Sequence, residues 1–297
     1  MGDKRIGFIG VGYMGHGMAK NIVEKGWPLT VMGHRNREPV EDLLKRGAGE
    51  AKTAKEIAAT SDILFICVTG SPQVEDLVRG ADGILAGAHE GLIVVDTSTA
   101  IPDSTMALAA ELEARGAAMA DAPLGGTPAQ AEAGELSAMV GASPEVFAAI
   151  EPVIETWAAK IVHLGPVGDG HKMKLLNNFL SLGYGALYAE ALAVARKVGI
   201  SPQTFDSVIR GSRMDCGFYQ TFIQYTLTGD RNVHKFTLSN AHKDLRYLAA
   251  MANEAGIANH VGSAAKNAFA YAEAIGRGQD YVPLLAEIIA QANGVKE

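Results

Sequence analysis

Short apolar runs and amphipathic stretches alternate through the first half of the chain. "RIGFIG" (Arg5–Gly10), "PLTVM" (Pro28–Met32), "DILFICV" (Asp62–Val68) and "GLIVVDT" (Gly91–Thr97) are rich in β-branched residues and nearly free of polar ones. Such continuous apolarity predicts strands covered on both faces, as in a parallel sheet. Between them, 14–24, 40–46 and 105–115 carry apolar residues at helical spacing, and 117–121, 137–140 and 160–164 read as further strands. Alternating strands and helices predict an α/β fold, a doubly wound Rossmann-type sheet with right-handed crossovers. After "GPVGDG" (Gly165–Gly170) the pattern becomes helical throughout. One long segment runs to about Lys197, followed by 202–210, 239–255 and 260–274. The expected organisation is a dinucleotide-binding domain over 1–165 and an all-α domain over 166–297, joined by the long helix.

At 297 residues the chain is long enough for two domains with sizeable cores. A formal net charge of −7 argues against a nucleic-acid binder, which needs a basic footprint for phosphates. The two cysteines, Cys67 and Cys216, show no metal-ligand spacing and suit a reducing compartment. No apolar run approaches the roughly 18 residues of a spanning helix, and "MGDKRIGFIG" lacks the charged, apolar and small-residue sections expected of a secretory leader. The expectation is a cytoplasmic protein without a membrane or nucleic-acid partner.

"IGFIGVGYMGHGMAKNI" places Gly10, Gly12 and Gly15 in G-x-G-x-x-G spacing directly between a strand and a helix. That context predicts a dinucleotide site. Gly10 permits the tight turn, Gly12 the approach of a pyrophosphate, and Gly15 close helix–strand packing, while the helix N-terminus favours the phosphates. An NAD enzyme usually places Asp or Glu at the end of the second strand. Here the chain reads Gly33, His34, Arg35, Asn36, Arg37. Arginines suit a 2′-phosphate, so NADP is expected as the preferred cofactor over NAD.

On the long helix, Lys174, Asn177, Asn178 and Ser181 fall on one stripe at about 100° per residue, and Gly185 continues it. Leu175, Leu176, Phe179, Leu180, Leu182 and Ala186 fill the rest of the circumference, which predicts a buried helix with a buried polar stripe. Asparagine is a poor helix former, so two beside a lysine indicate a polar pocket rather than a solvated face. A purely structural polar network is the alternative. A buried lysine is expected to have a pKa lowered towards neutrality, suited to general acid–base work on a carbonyl or hydroxyl oxygen.

With the glycine loop, the strand-end "DTSTAIP" and K-x-x-N-N on a helix, the chain resembles the β-hydroxyacid dehydrogenase family along nearly its whole length. The resemblance implies a Rossmann domain followed by an all-α domain, a homodimer or homotetramer, and a small anionic hydroxy-acid or aldehyde substrate. It implies Lys174 as the catalytic residue and Ser98, Gly125, Gly126, Asn177, Asn178 and Asp244 as substrate contacts. For the cofactor it implies Thr99, Phe236 and Lys243, which join the loop and strand-end candidates Gly10, Gly12, Tyr13, Met14, Gly15, His34, Arg35, Arg37, Val68 and Thr69. Where the family commonly has D-A-P-V-S-G-G, this chain reads "DAPLGGTP", so Gly125 replaces a serine and Thr127 offers a substitute hydroxyl. The Gly-Gly-Thr arrangement is similar to the sulfolactaldehyde reductase branch, which however carries an arginine where Gly126 stands. Arg213, Tyr219 and His171 are further candidates for the substrate's anion, Arg213 reading first as a surface charge. Alternatives are a sulfolactaldehyde or 4-hydroxybutyrate-type reductase, an imine reductase, or a non-catalytic dinucleotide-binding protein. The presence of Lys174 with both asparagines argues against the last two.

Overall fold

The computed structural model describes residues 3–33, 35–231 and 233–295. These form two compact units that divide between Lys174 and Leu175. In the first, β1 (Ile6–Ile9), α1 (Gly15–Glu24), β2 (Leu29–Met32), α2 (Glu38–Lys45) and β3 (Gly49–Glu50) are followed by α3 (Ala54–Thr60), β4 (Ile63–Ile66) and α4 (Ser71–Arg79). Then come α5 (Ile84–Gly87), β5 (Ile93–Asp96), α6 (Pro102–Glu113) and β6 (Ala118–Asp121). The unit continues with β7 (Leu124–Gly125), α7 (Pro128–Ala133), β8 (Leu136–Gly141), α8 (Pro144–Ile154) and β9 (Ala158–Gly165).

The strands form one sheet in the order β3-β2-β1-β4-β5-β6-β8-β7, with β9 paired to β8. Pairing is parallel from β3 through β6, as the apolar runs predict. It turns antiparallel where β8 meets β6 and β7, which the strand patterns did not foretell. Side chains divide strictly between the two faces. Phe8, Val31, Phe65 and Val95 pack on one side with Met18, Ile22 and Trp157. Ile9, Leu64, Ile66 and Val94 pack on the other with Ile57, Val74 and Leu108. Burial on both faces accounts for the absence of polar alternation in these strands. The reversal of strand order beside β1 sets the carboxyl ends of β1 and β4 at the topological switch point, where doubly wound sheets bind ligands.

A 29-residue helix, α9 (Asp169–Lys197), starts in the first unit and continues through the second, spanning about 43 Å. The second unit adds α10 (Pro202–Ile209), α11 (Gly217–Thr228), α12 (Leu238–Glu254), α13 (His260–Ala274) and α14 (Leu285–Ala292). Leu182, Phe222, Leu245, Phe269 and Leu285 are buried there. Among the described residues no helix is long and apolar enough to cross a membrane.

Candidate active site

The glycine loop leaves β1 through Gly10, whose φ of +97° suits glycine and where a Cβ would lie 2.1 Å from the Cys67 carbonyl oxygen. At Gly15 a Cβ would strike the Gly10 carbonyl oxygen at 2.0 Å, so α1 packs directly on the strand end. Gly12 is different: a Cβ there would have no neighbour within 4 Å. An open backbone at Gly12 facing the start of α1 fits the pyrophosphate of a dinucleotide. Tyr13 beside it is 80% exposed, and Met14 packs half-buried against the core. His34 lies outside the described residues. Arg35 is exposed. Arg37 is forked onto Glu50, with Nη1 2.6 Å from Oε1 and Nη2 3.0 Å from Oε2.

Three strand ends converge on the first turns of α9. Beyond β4, the Val68 N–H donates to Ser98 Oγ at 3.0 Å, with Thr69 exposed next to it. Beyond β5, Asp96 Oδ1 accepts the Ser98 N–H at 2.9 Å, an Asx turn that fixes the loop carrying Ser98 and Thr99. At the end of β6, Asp121 accepts the N–H groups of Gly168 and His171, both at 2.6 Å, and so caps α9. His171 is fully buried. Its Nε2 donates to the Ser98 carbonyl at 3.1 Å and its Nδ1 lies 2.7 Å from Thr105 Oγ1. The carboxylates of Asp96 and Asp121 each lie 3.8 Å from this ring. Burial raises the Asp121 carboxyl pKa, and the nearby imidazole and the two N–H donors act the other way. His171 is therefore spent on fastening the Ser98 loop to α9 and does not serve as an anion-binding group, contrary to the sequence expectation.

Lys174 stands one turn beyond His171. Its Nζ donates to the Leu124 carbonyl at 2.5 Å, beside Gly125. Gly126 has φ +129°, in the region that favours glycine. A Cβ on Gly125 would meet Ser137 Oγ at 2.4 Å. The Ser137 hydroxyl thus stands beside the position where the family has a serine, since β7 pairs Gly125 with Ser137. Ser137 donates to the Gly125 carbonyl at 3.3 Å. Thr127, offered by the sequence as the substitute, is committed elsewhere: it caps α7 in a reciprocal box with Gln130.

In the second unit the stripe continues along α9. Asn178 is buried and its Nδ2 donates to Asp244 Oδ2 at 2.6 Å. Asn177 is exposed and donates to Asn178 Oδ1 at 3.3 Å. Asp244 is 2% exposed. Lys243 Nζ lies 3.2 Å from its Oδ1, near enough for ion pairing but not aligned for a hydrogen bond, and 5.4 Å from the Tyr247 ring centroid. Phe236 is half-buried, and its carbonyl accepts the Val282 N–H at 2.9 Å. Gly185 is buried near Val282 and Phe218. The prediction of a buried helix with a buried polar stripe fails on both faces: Asn177 is exposed and Lys174 and Ser181 are half-buried, and opposite them Leu176 is 45% and Leu180 55% exposed, with Tyr184 and Leu187 continuing the seam. Tyr219 is no anion ligand either: it is buried and its hydroxyl donates to Asp206 at 3.1 Å.

Residues 5–165 match the family described as the NAD binding domain of 6-phosphogluconate dehydrogenase. Residues 168–287 match the NAD-binding of NADP-dependent 3-hydroxyisobutyrate dehydrogenase. The chain is 32% identical to 2-(hydroxymethyl)glutarate dehydrogenase of Eubacterium barkeri, over 98% of this chain and 96% of that one. It is 30% identical to 3-sulfolactaldehyde reductase of Escherichia coli strain K12, over 97% and 96% respectively. The crystal structure of 3-hydroxyisobutyrate dehydrogenase from Salmonella typhimurium superposes with a TM-score of 0.87 at 27% identity, covering 96% of this chain and all of that one.

Proposed function

Because the chain belongs to the NAD(P)-dependent β-hydroxyacid dehydrogenase family, we propose that it interconverts a small β-hydroxy acid, or a related ω-hydroxy acid, and its semialdehyde. The observation that carries this reading is Lys174, its ammonium anchored on the Leu124 carbonyl beside the Gly125–Gly126 turn. When bound, the nicotinamide supplies or takes up the hydride. Lys174 supplies the matching proton: as ammonium it donates to the carbonyl oxygen in reduction, and as amine it accepts the hydroxyl proton in oxidation. The Leu124 carbonyl holds the lysine's direction between turnovers, and the loop at Ser98 and the amides around Gly125 bind the substrate's acid group. Asn177 and Asn178, one turn along the same helix, orient the substrate, with Asp244 behind Asn178.

The Gly10–Gly15 loop holds the pyrophosphate, Arg35 and Arg37 favour NADP over NAD, and Val68, Thr69, Thr99, Phe236 and Lys243 complete the cofactor contacts. A carboxylate substrate suits this site better than a sulfonate, because Gly126 offers no guanidinium and its backbone conformation favours glycine. The exposed seam of Leu176, Leu180, Tyr184 and Leu187 supports a homo-oligomer, dimeric or tetrameric, and two free cysteines fit the reducing conditions of the cytoplasm.

Absorbance at the reduced-nicotinamide band tests the reading, falling as a semialdehyde is reduced and rising as a hydroxy acid is oxidised. The panel is methylmalonate, tartronate and succinate semialdehydes, glyoxylate and sulfolactaldehyde, with 2-(hydroxymethyl)glutarate in the oxidative direction. Turnover of at least one acid substrate that collapses in Lys174→Ala is expected. Equal rates in the variant would remove Lys174 from the chemistry.

A further inference from the structure

The end of β2 lacks the carboxylate of an NAD enzyme in sequence, yet a carboxylate stands there in space. β3 contributes only two residues and pairs parallel with β2, setting Glu50 opposite Val31. From that register the Glu50 side chain reaches forward to Gly33, the first residue beyond β2. A Cβ built on Gly33 would lie 3.7 Å from Glu50 Oε1 and 2.9 Å from Arg37 Nη1. The place that a β2-end Asp or Glu would occupy is therefore shared by Val40 Cγ2, 2.7 Å from that Cβ, and an Arg37–Glu50 fork carried in from the start of α2 and from β3. Doubly wound dinucleotide sites hold the adenosine ribose at this strand end, about 20 residues beyond the glycine loop.

We infer that Glu50 is the cofactor-selecting carboxylate of this chain, and that the Arg37–Glu50 pair lets one site take both NAD and NADP. A free ribose 2′-hydroxyl donates to Glu50 while the fork stays closed. A 2′-phosphate requires Arg37 to turn from Glu50, and leaves that carboxylate beside a dianion. The pair is solvent-exposed on both sides, with side chains 46% and 31% accessible, so opening it is inexpensive. Arg37 beside it holds the Glu50 carboxyl below its usual range, so the competing charge is present at neutral pH. Other charges at the fork are few: Glu41 on α2 adds to the negative side, and Arg35 is exposed on the same loop. Glu50 thus narrows the advantage that Arg35 and Arg37 give to NADP.

This inference rests on the dinucleotide reading of the glycine loop. Binding, not turnover, tests it: nicotinamide fluorescence titrations of NADH and NADPH into the full chain, at one fixed salt concentration. Glu50→Gln keeps the shape and removes the charge. The ratio of Kd for NADH to Kd for NADPH should rise threefold or more, NADPH tightening and NADH weakening. Arg37→Gln should move the ratio in the opposite direction. A rise below threefold in Glu50→Gln, with wild type binding either cofactor, overturns the role of Glu50 and leaves the dinucleotide site standing. Wild type binding neither cofactor overturns both.

Discussion

Lys174 Nζ and the Leu124 carbonyl oxygen are 2.5 Å apart, so the amine is tied to the backbone one residue before Gly125. A lysine held by a backbone carbonyl keeps a fixed direction towards the Gly125–Gly126 turn. Lys174→Ala should lower kcat by about 10²–10⁴-fold, the range for a lost general acid. The Kd for NADPH, read by fluorescence, should stay within twofold. Lys174→Arg should not restore the rate, because a guanidinium does not release its proton near neutral pH. Restoration by arginine would mean that Lys174 acts through charge alone.

Gly125 and Ser137 compete for one position. Backbone conformation does not demand glycine at 125, since its φ is not positive. The hydroxyl of Ser137 does, lying 2.4 Å from where a Cβ would stand. Gly125→Ser should therefore destabilise the protein by about 1–3 kcal/mol, the cost of overpacking. Ser137→Ala alone removes one long hydrogen bond and should cost under about 1 kcal/mol. The double variant should recover most of the loss, giving a coupling of about 1 kcal/mol or more in urea titrations. Additive effects would show that Ser137 is not what excludes a side chain at 125.

How much of this was legible before folding depends on range. β1, the glycine loop and α1 are local: a strand period gives way to a helix period across three glycines, and both ends of the pattern lie within 20 residues. The stripe of Lys174, Asn177 and Asn178 is equally local. Its surroundings are not, because periodicity fixes which residues share a face but not what covers it. Hence Leu176 and Leu180, apolar and on the far side, were expected inside and are half exposed. Glu50 and Ser137 left no trace at all. Each reaches the site through strand pairing, Val31 with Glu50 and Gly125 with Ser137, and register is a tertiary property. Helices α3 and α4 did carry signals that the apolar spacing overlooked: Thr53 capping Glu56, and a proline in the first turn of α4.

Asn178 gives Asp244 a direct hydrogen bond at 2.6 Å, while Lys243 faces the other oxygen at 3.2 Å. Asp244 is 2% exposed, and its second oxygen has no aligned donor among the described residues. Asn178→Ala should cost about 2–4 kcal/mol, because it leaves a buried carboxylate short of its one direct amide. Asn178→Asp should cost at least as much by setting two carboxylates in contact. Asp244→Asn in the Asn178→Asp background should recover part of the loss, the hydrogen bond being restored with donor and acceptor exchanged. Chemical denaturation midpoints measure all three. A neutral Asn178→Ala would mean that Lys243 alone satisfies the acid.

His234 gives the second unit a pH dependence of known sign. Its Nδ1 lies 3.1 Å from Thr221 Oγ1 and its ring stands edge-on to Phe218 at 5.1 Å. Burial lowers its pKa to about 4 from the ordinary 6.5. Above pH 6.5 the ring is neutral folded or unfolded, and it contributes no slope. As pH falls from about 6.5 to about 4, the unfolded chain takes up a proton that the folded one refuses, so stability declines, by roughly 3 kcal/mol in all. Below about 4 this contribution is constant. His234→Gln retains a hydrogen-bonding group without a titration in this range. It should flatten the fall of denaturation free energy between pH 6.5 and 4 by most of that amount, measured in urea at half-unit intervals. Curves that stay parallel across that interval would place the ring in contact with solvent and its titration at the ordinary value.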